Sequence, residues 1–112
     1  MRPEEVLSPV RSADFARIVE VWEASVRATH HFVTEADIQV FRPLVCDGLR
    51  DVQHLLAVRD GEERVVGFIG VEGDEVGMLF VHPDWRGQGI GRRLLTHAVV
   101  ALGATRLDQD GL

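Results

Sequence analysis

The chain has 112 residues, a length that fits one domain able to bury roughly two-thirds of the surface its unfolded form exposes. Its hydrophobic fraction of 46% and charged fraction of 27% are those of an ordinary soluble globular protein. The net charge of -6 argues against a general affinity for nucleic acid and mildly favours a cationic or amine-bearing small partner.

Cys46 is the only cysteine, so no intrachain disulfide framework exists, and a reducing cytoplasm is the expected setting. The first nine residues lack the apolar core of a signal peptide, and no apolar run is long enough to cross a bilayer. No membrane partner is expected. Five scattered histidines and one distant cysteine form no metal-ligand pattern, so no metal site is expected either.

Val6 to Val10 reads as a short strand, and Pro9 suits it to a sheet edge. Ser12 is placed to cap a helix whose apolar residues Phe15, Ile18, Val19, Trp22 and Val26 fall on one face. That helix runs out near Ala28 to Phe32. Thr34 followed by Asp37 resembles the start of a second helix carrying Ile38, Phe41, Val45 and Leu49. Pro43 inside this pattern predicts a kink or a break, and Gly48 a stop.

From His54 the hydrophobic period changes. Leu55 to Val58, the Asp60-Gly61 turn and Val65 to Val71 read as a β-hairpin. Gly73-Asp74 marks the next turn, and Val76 to Val81 a third antiparallel strand. Apolar residues on both faces predict a sheet covered on both sides. Gly89 to Leu102 then reads as a helix with Ile90, Leu94, Leu95, Ala98 and Leu102 on one face and Gly103 as its C-cap. Thr105 to Asp108 begins a short last strand, which leaves one flank of the sheet open. The expectation is a fragment, or an edge covered by a second copy in a homodimer.

Between the third strand and the last helix lies Val81-His-Pro-Asp-Trp-Arg-Gly-Gln-Gly-Ile-Gly-Arg-Arg93. Gly87, Gly89 and Gly91 let backbone N–H groups wrap around a pyrophosphate, and the helix start behind them adds unpaired amides and partial positive charge. Arg86, Arg92 and Arg93 add full charges in an acidic protein. A P-loop would need Gly-Lys-Ser/Thr where this chain has Gly-Arg-Arg. A dinucleotide fingerprint fails because Leu94 stands at its third glycine, and because the loop follows an antiparallel meander.

The strand, the Val81-x-Pro-x-x-Arg-Gly-x-Gly-Ile-Gly91 loop and the helix opening Arg92-Arg-Leu-Leu95 closely resemble the acetyl-CoA site of the GNAT superfamily of N-acetyltransferases. Its Gln/Arg-x-x-Gly-x-Gly/Ala signature is matched by Arg86, Gly89 and Gly91. Trp22-x-x-Ser-Val-x-x-Thr-His-x-Phe32 looks like a small bacterial subgroup. The resemblance implies an α/β (α+β type) domain spanning 1–112, with a central, mostly antiparallel β-sheet flanked by helices. It would be the GNAT (acyl-CoA N-acyltransferase) fold lacking its C-terminal part.

The resemblance further implies that acetyl moves from acetyl-CoA to a primary amine, on a small molecule or on a protein N-terminus or lysine. Leu79, Phe80 and Val81 would pair their backbone with the pantetheine arm. Amides from Arg86 through Arg92, chiefly Gly87, Gln88, Gly89, Ile90 and Gly91, would hold the pyrophosphate, with charge from Arg86 and Arg92. Glu75 stands where several members carry the base that takes the amine proton, although Glu72 and Asp74 beside it leave open an ordinary turn carboxylate. His30 and His31, at the junction of the first two helices, would border the acceptor and relay protons, with solvated or capping groups as the alternative. Members often supply a tyrosine acid from later elements, and this chain has no tyrosine. The other open reading is therefore a non-catalytic acyl-CoA-binding or self-associating module.

Overall fold

The computed structural model describes residues 7–29 and 33–107. Its described strands form one five-stranded sheet in the order β1-β2-β3-β4-β5. These are Ser8–Pro9 (β1), His54–Arg59 (β2), Val65–Glu72 (β3), Glu75–Val81 (β4) and Arg106–Leu107 (β5). The first four pair antiparallel in sequence order, and β5 runs parallel to β4. Three helices, Phe15–Thr29 (α1), Glu35–Asp51 (α2) and Ile90–Leu102 (α3), complete the mixed α/β architecture expected from the sequence.

β3 is buried along nearly its whole length, because each of its faces carries its own core. Phe68 packs with Ile18, Val21, Trp22, Val26, Ile38, Leu49 and Phe80 beneath α1 and α2. Ile69, Val71 and Val76 pack with Ile90, Leu94 and Ala98 beneath α3. A Cβ at Gly67 would lie 2.8 Å from Ile90 Cγ2, so the missing side chain is what lets the start of α3 sit close on the sheet.

A bulge in β4 sets the direction of its first residue. Val71 pairs with Val76 and Gly70 with Met78, so Gly77 is the extra residue. The bulge inverts the alternation: Val76 joins Leu79 and Val81 on the α3 side, while Met78 and Phe80 face α1 and α2. Glu75, opposite in phase to Val76, therefore belongs to the α1/α2 face.

Three sequence expectations are corrected. The cap of the first helix is not Ser12: residues Ser12–Asp14 form a 3-10 turn, and the Asp14 carboxylate accepts the Arg11 N–H at 2.9 Å. The cap position therefore falls one residue earlier, at Arg11, and it is the Asp14 side chain, three residues on, that reaches back to the cap-residue amide. Second, Pro43 does not break α2, which is continuous to Asp51, and Gly48 does not end it. The Thr34 start is as read: Asp37 N–H donates to Thr34 Oγ1 at 3.1 Å and Thr34 N–H to Asp37 Oδ2 at 3.0 Å. Third, Phe41 is 46% exposed, because Ile38 and Leu49 define the buried stripe and Phe41 stands on its margin.

Arg59 stitches the start of α1 to the β1 edge. Its guanidinium donates to both Asp14 oxygens at 3.0 and 2.9 Å, and to Ser8 Oγ at 2.7 Å. The Arg59 bonds, then the Arg11 amide, hold the Asp14 carboxyl down at about 2. The unfolded carboxyl titrates near its ordinary value of about 3.9. The stabilisation is therefore complete above that value and lost as pH falls through about 2. Arg59→Met is expected to lower stability by about 1 kcal/mol at neutral pH. Denaturant titrations of both proteins should show the gap closing as pH falls from about 4 to about 2.

Candidate functional site

At the end of β4 the chain leaves the sheet through a tight sequence of backbone bonds. His82 N–H donates to Val66 O at 2.8 Å, anchoring the exit to β3. Pro83–Trp85 then forms a 3-10 turn, with Trp85 N–H bonded to His82 O at 2.9 Å and Arg86 N–H to Pro83 O at 3.4 Å. His82 Nδ1 accepts the Asp84 N–H at 3.2 Å, so this histidine is occupied by the turn.

Gly87 and Gly89 both adopt left-handed backbone angles, with φ of 79° and 78°. A Cβ at either position would meet nothing within 4 Å, so the concavity is open to solvent. Gly89 caps α3, whose first internal bond runs from Arg93 N–H to Gly89 O at 3.0 Å. The amides of residues 87 to 92 precede that bond, and no acceptor for them occurs among the described residues. Alternating left-handed glycines ahead of a helix N-terminus form an anion nest, and the helix dipole reinforces it. The amide of Arg86 does not belong to this row, because it closes the preceding turn. The proposed donor row thus starts at Gly87.

The arginines of the loop differ in what they touch. The Arg86 guanidinium donates to Ser25 Oγ at 3.2 Å and to Ser25 O at 3.5 Å on α1. Arg92 is exposed, and the partly buried Arg93 has an Nε without a hydrogen-bond partner among the described residues.

β4 leads to this loop with one side uncovered. β5 pairs only with Glu75 and Val76, so from Gly77 to Val81 the outer edge of β4 has no strand partner among the described residues. Leu79, Phe80 and Val81 lie on this free stretch, within reach of the loop. Glu75 lies at the far end of β4, about 20 Å from Val81 at the usual rise per residue. Its carboxylate is 3.9 Å from the Arg106 guanidinium and partly exposed. Arg106 engages Asp74 more closely, at 2.8 Å, and holds that neighbouring carboxyl below its ordinary range.

His30 and His31 lie outside the described residues. On either side of them α1 and α2 are joined by an ion network that sequence reading missed. Arg27 forms a bidentate pair with Glu35 at 2.7 Å on each arm, and Glu23 accepts from Arg27 at 3.2 Å and from Arg42. The Arg42 bond, followed by Arg27, pushes the Glu23 carboxyl down, which keeps it ionised. Only the i,i+4 spacing of Glu23 and Arg27 was visible in the sequence. Among the described residues no group of His, Cys, Asp and Glu is placed to hold a metal ion, and no helix is long and apolar enough to cross a membrane.

The family model of the acetyltransferase (GNAT) domain matches residues 50–111. Among curated proteins, a peptidyl-lysine N-acetyltransferase YjaB of Salmonella typhimurium is 38% identical over 89 residues, or 80% of this chain and 61% of the relative. The chain thus spans about three-fifths of that relative's length. Among solved structures, the apo form of YjaB from Escherichia coli superposes with a TM-score of 0.77 at 30% identity, over 86% of this chain and 65% of that one. The PaiA N-acetyltransferase of Thermoplasma acidophilum, solved with coenzyme A, superposes with a TM-score of 0.70 at 17% identity, over 88% and 71% of the two chains.

Proposed function

The chain belongs to the acetyltransferase (GNAT) domain family, and from that premise we propose that it moves acetyl from acetyl-CoA to a primary amine, with a protein lysine as the favoured acceptor. The observation that carries the reading is the row of amides at residues 87 to 92 with no acceptor among the described residues, set at the end of a strand whose edge is free among them. Coenzyme A presents a diphosphate to such a row and an amide-bearing arm to such an edge. The PaiA structure contains coenzyme A, and the Salmonella relative is named for acetylating peptidyl lysine.

Each residue then has a definable task. The amides of Gly87, Gln88, Gly89, Ile90, Gly91 and Arg92 hold the diphosphate, and the exposed Arg92 side chain adds charge. The backbone of Leu79, Phe80 and Val81 pairs with the pantetheine arm. A backbone N–H of β4 polarises the thioester carbonyl as negative charge grows on its oxygen. Glu75, on the α1/α2 face, takes a proton from the incoming ammonium, directly or through water, since an alkylamine of pKa about 10.4 is mostly protonated at neutral pH. The freed nitrogen lone pair forms the new C–N bond and the C–S bond breaks. The products are the acetylated amine, once it has shed its second proton, and the coenzyme thiol. His30 is assigned to the acceptor side as a proton relay.

In this reading residues 1–112 belong to a single acetyltransferase domain of a bacterial cytoplasm. It pairs as a homodimer across the sheet edge at the short last strand, β5, and takes neither nucleic acid nor membrane as partner. The chain contains twelve arginines and no lysine, so acetylation of its own lysine side chains cannot contribute to the signal. A thiol-release assay with acetyl-CoA and lysine peptides should show coenzyme A produced only when an acceptor is present. Binding of acetyl-CoA without release over a panel of amines would establish the binding-module reading instead, and absence of binding would remove both.

A further inference from the structure

Ser25 is the buried polar residue of the described core, with 6% exposure. It lies on α1 between Trp22 and Val26, both members of the apolar cluster beneath that helix. A buried hydroxyl needs a hydrogen-bond partner or costs about 1–3 kcal/mol. Its partner comes from the glycine loop: Arg86 Nη2 donates to Ser25 Oγ at 3.2 Å and to the Ser25 carbonyl at 3.5 Å. The same carbonyl accepts the Thr29 hydroxyl at 2.8 Å. The guanidinium at the foot of the loop is thus engaged by two acceptors on a helix 61 residues away in the chain.

We infer that the Arg86 side chain is a strut rather than a ligand of the anion, and that Ser25 is the positioning residue that receives it. The inference rests on the reading of residues 87 to 92 as the diphosphate site. The loop is then fixed at both ends. On one side stand the strut and the His82 and Pro83 carbonyl bonds; on the other, the Arg93 N–H bond to Gly89 O. The free amides between them are preorganised, which removes part of the ordering cost of binding. α1 also carries Glu23 and Arg27, which hold α2. The strut therefore links the coenzyme loop mechanically to the helix pair on the acceptor side.

Ser25→Ala, Arg86→Met, their combination and Arg86→Lys test this by calorimetry with acetyl-CoA. A second readout is hydrogen exchange of the Trp85, Arg86 and Arg93 amides in the free protein. Each of the first two changes should weaken binding by about tenfold, and the double variant should be no weaker than Arg86→Met alone. The Ser25→Ala loss should be the same in about 0.05 M and about 0.5 M salt, because that change removes no charge. Arg86→Lys, which keeps a donor for Ser25, should recover most of the binding lost in Arg86→Met. The three amides should exchange faster in Ser25→Ala, while those of Phe68 and Ile69 stay unchanged.

Normal binding and exchange in Ser25→Ala, with an Arg86→Met loss that shrinks in high salt, would identify Arg86 as a direct anion ligand and overturn the strut. An equal rise in exchange at Phe68 and Ile69 would mark a general loss of stability and overturn it too. If the unaltered protein fails to bind acetyl-CoA, the functional reading falls. The exchange of the three loop amides in Ser25→Ala then decides the strut alone, upheld by faster exchange and overturned by none.

Discussion

Gly89→Glu is expected to reduce acetyl-CoA affinity by at least about a hundredfold, beyond the reach of ordinary calorimetry. Two effects combine. The residue sits at φ 78°, where any side chain strains the backbone by roughly 1–2 kcal/mol, and its carboxylate would stand among the amides meant for the diphosphate. The space around Gly89 is open, so no core contact is lost and the fold should survive. Gly89→Ala separates the two terms: it carries the strain without the charge and should keep measurable binding. Equal affinity in the Gly89→Glu variant and the parent would remove the assigned site.

The second large effect falls on turnover rather than binding. Glu75→Gln keeps the shape and one hydrogen-bonding oxygen but cannot take a proton. The expected outcome is a fall in kcat of about 10²–10³, with acetyl-CoA affinity within about twofold of the parent. The deficit should narrow as pH rises toward about 10, where the amine arrives already neutral. Stability should be little changed, because the carboxylate is partly exposed and its contact with Arg106 is long, at 3.9 Å. Steady-state rates over a pH series would check this. A kcat within about threefold of the parent at neutral pH would return Glu75 to the role of a turn carboxylate.

What could be read from the sequence was whatever is local. The antiparallel strands were legible because the apolar period changes at His54, and the Thr34 start because its bonding partner Asp37 is three residues away. The glycine loop was legible because three glycines at alternating positions before an apolar helical stripe have few structural uses. Pro43 does not break α2 because its cost is local, whereas the Ile38 and Leu49 packing that keeps the helix continuous is not. Ser12 is not the cap because the 3-10 turn begins one residue earlier, with Arg11 at the cap position and its amide held by Asp14.

The pieces of the candidate site that stayed hidden are those made by distant segments. No spacing rule links Ser25 to Arg86, or Glu23 to Arg42. The bulge at Gly77 is equally silent in the sequence, yet it decides which face Glu75 belongs to. A residue-type match put Glu75 at the start of the strand; only the register turns it toward α1 and α2. His30 is placed by its position between two helices, and the ion pairs of Arg27 with Glu35 and of Glu23 with Arg42 link those helices on either side of it.

The direct test of the whole account is a backbone-amide NMR titration of the protein with acetyl-CoA. Saturable shifts should be largest at the amides of Gly87 through Arg92 and continue along Leu79 to Val81, as expected for a nucleotide anion gripped by peptide hydrogens. Saturation with those resonances unmoved, and the main changes elsewhere on the molecule, would contradict it.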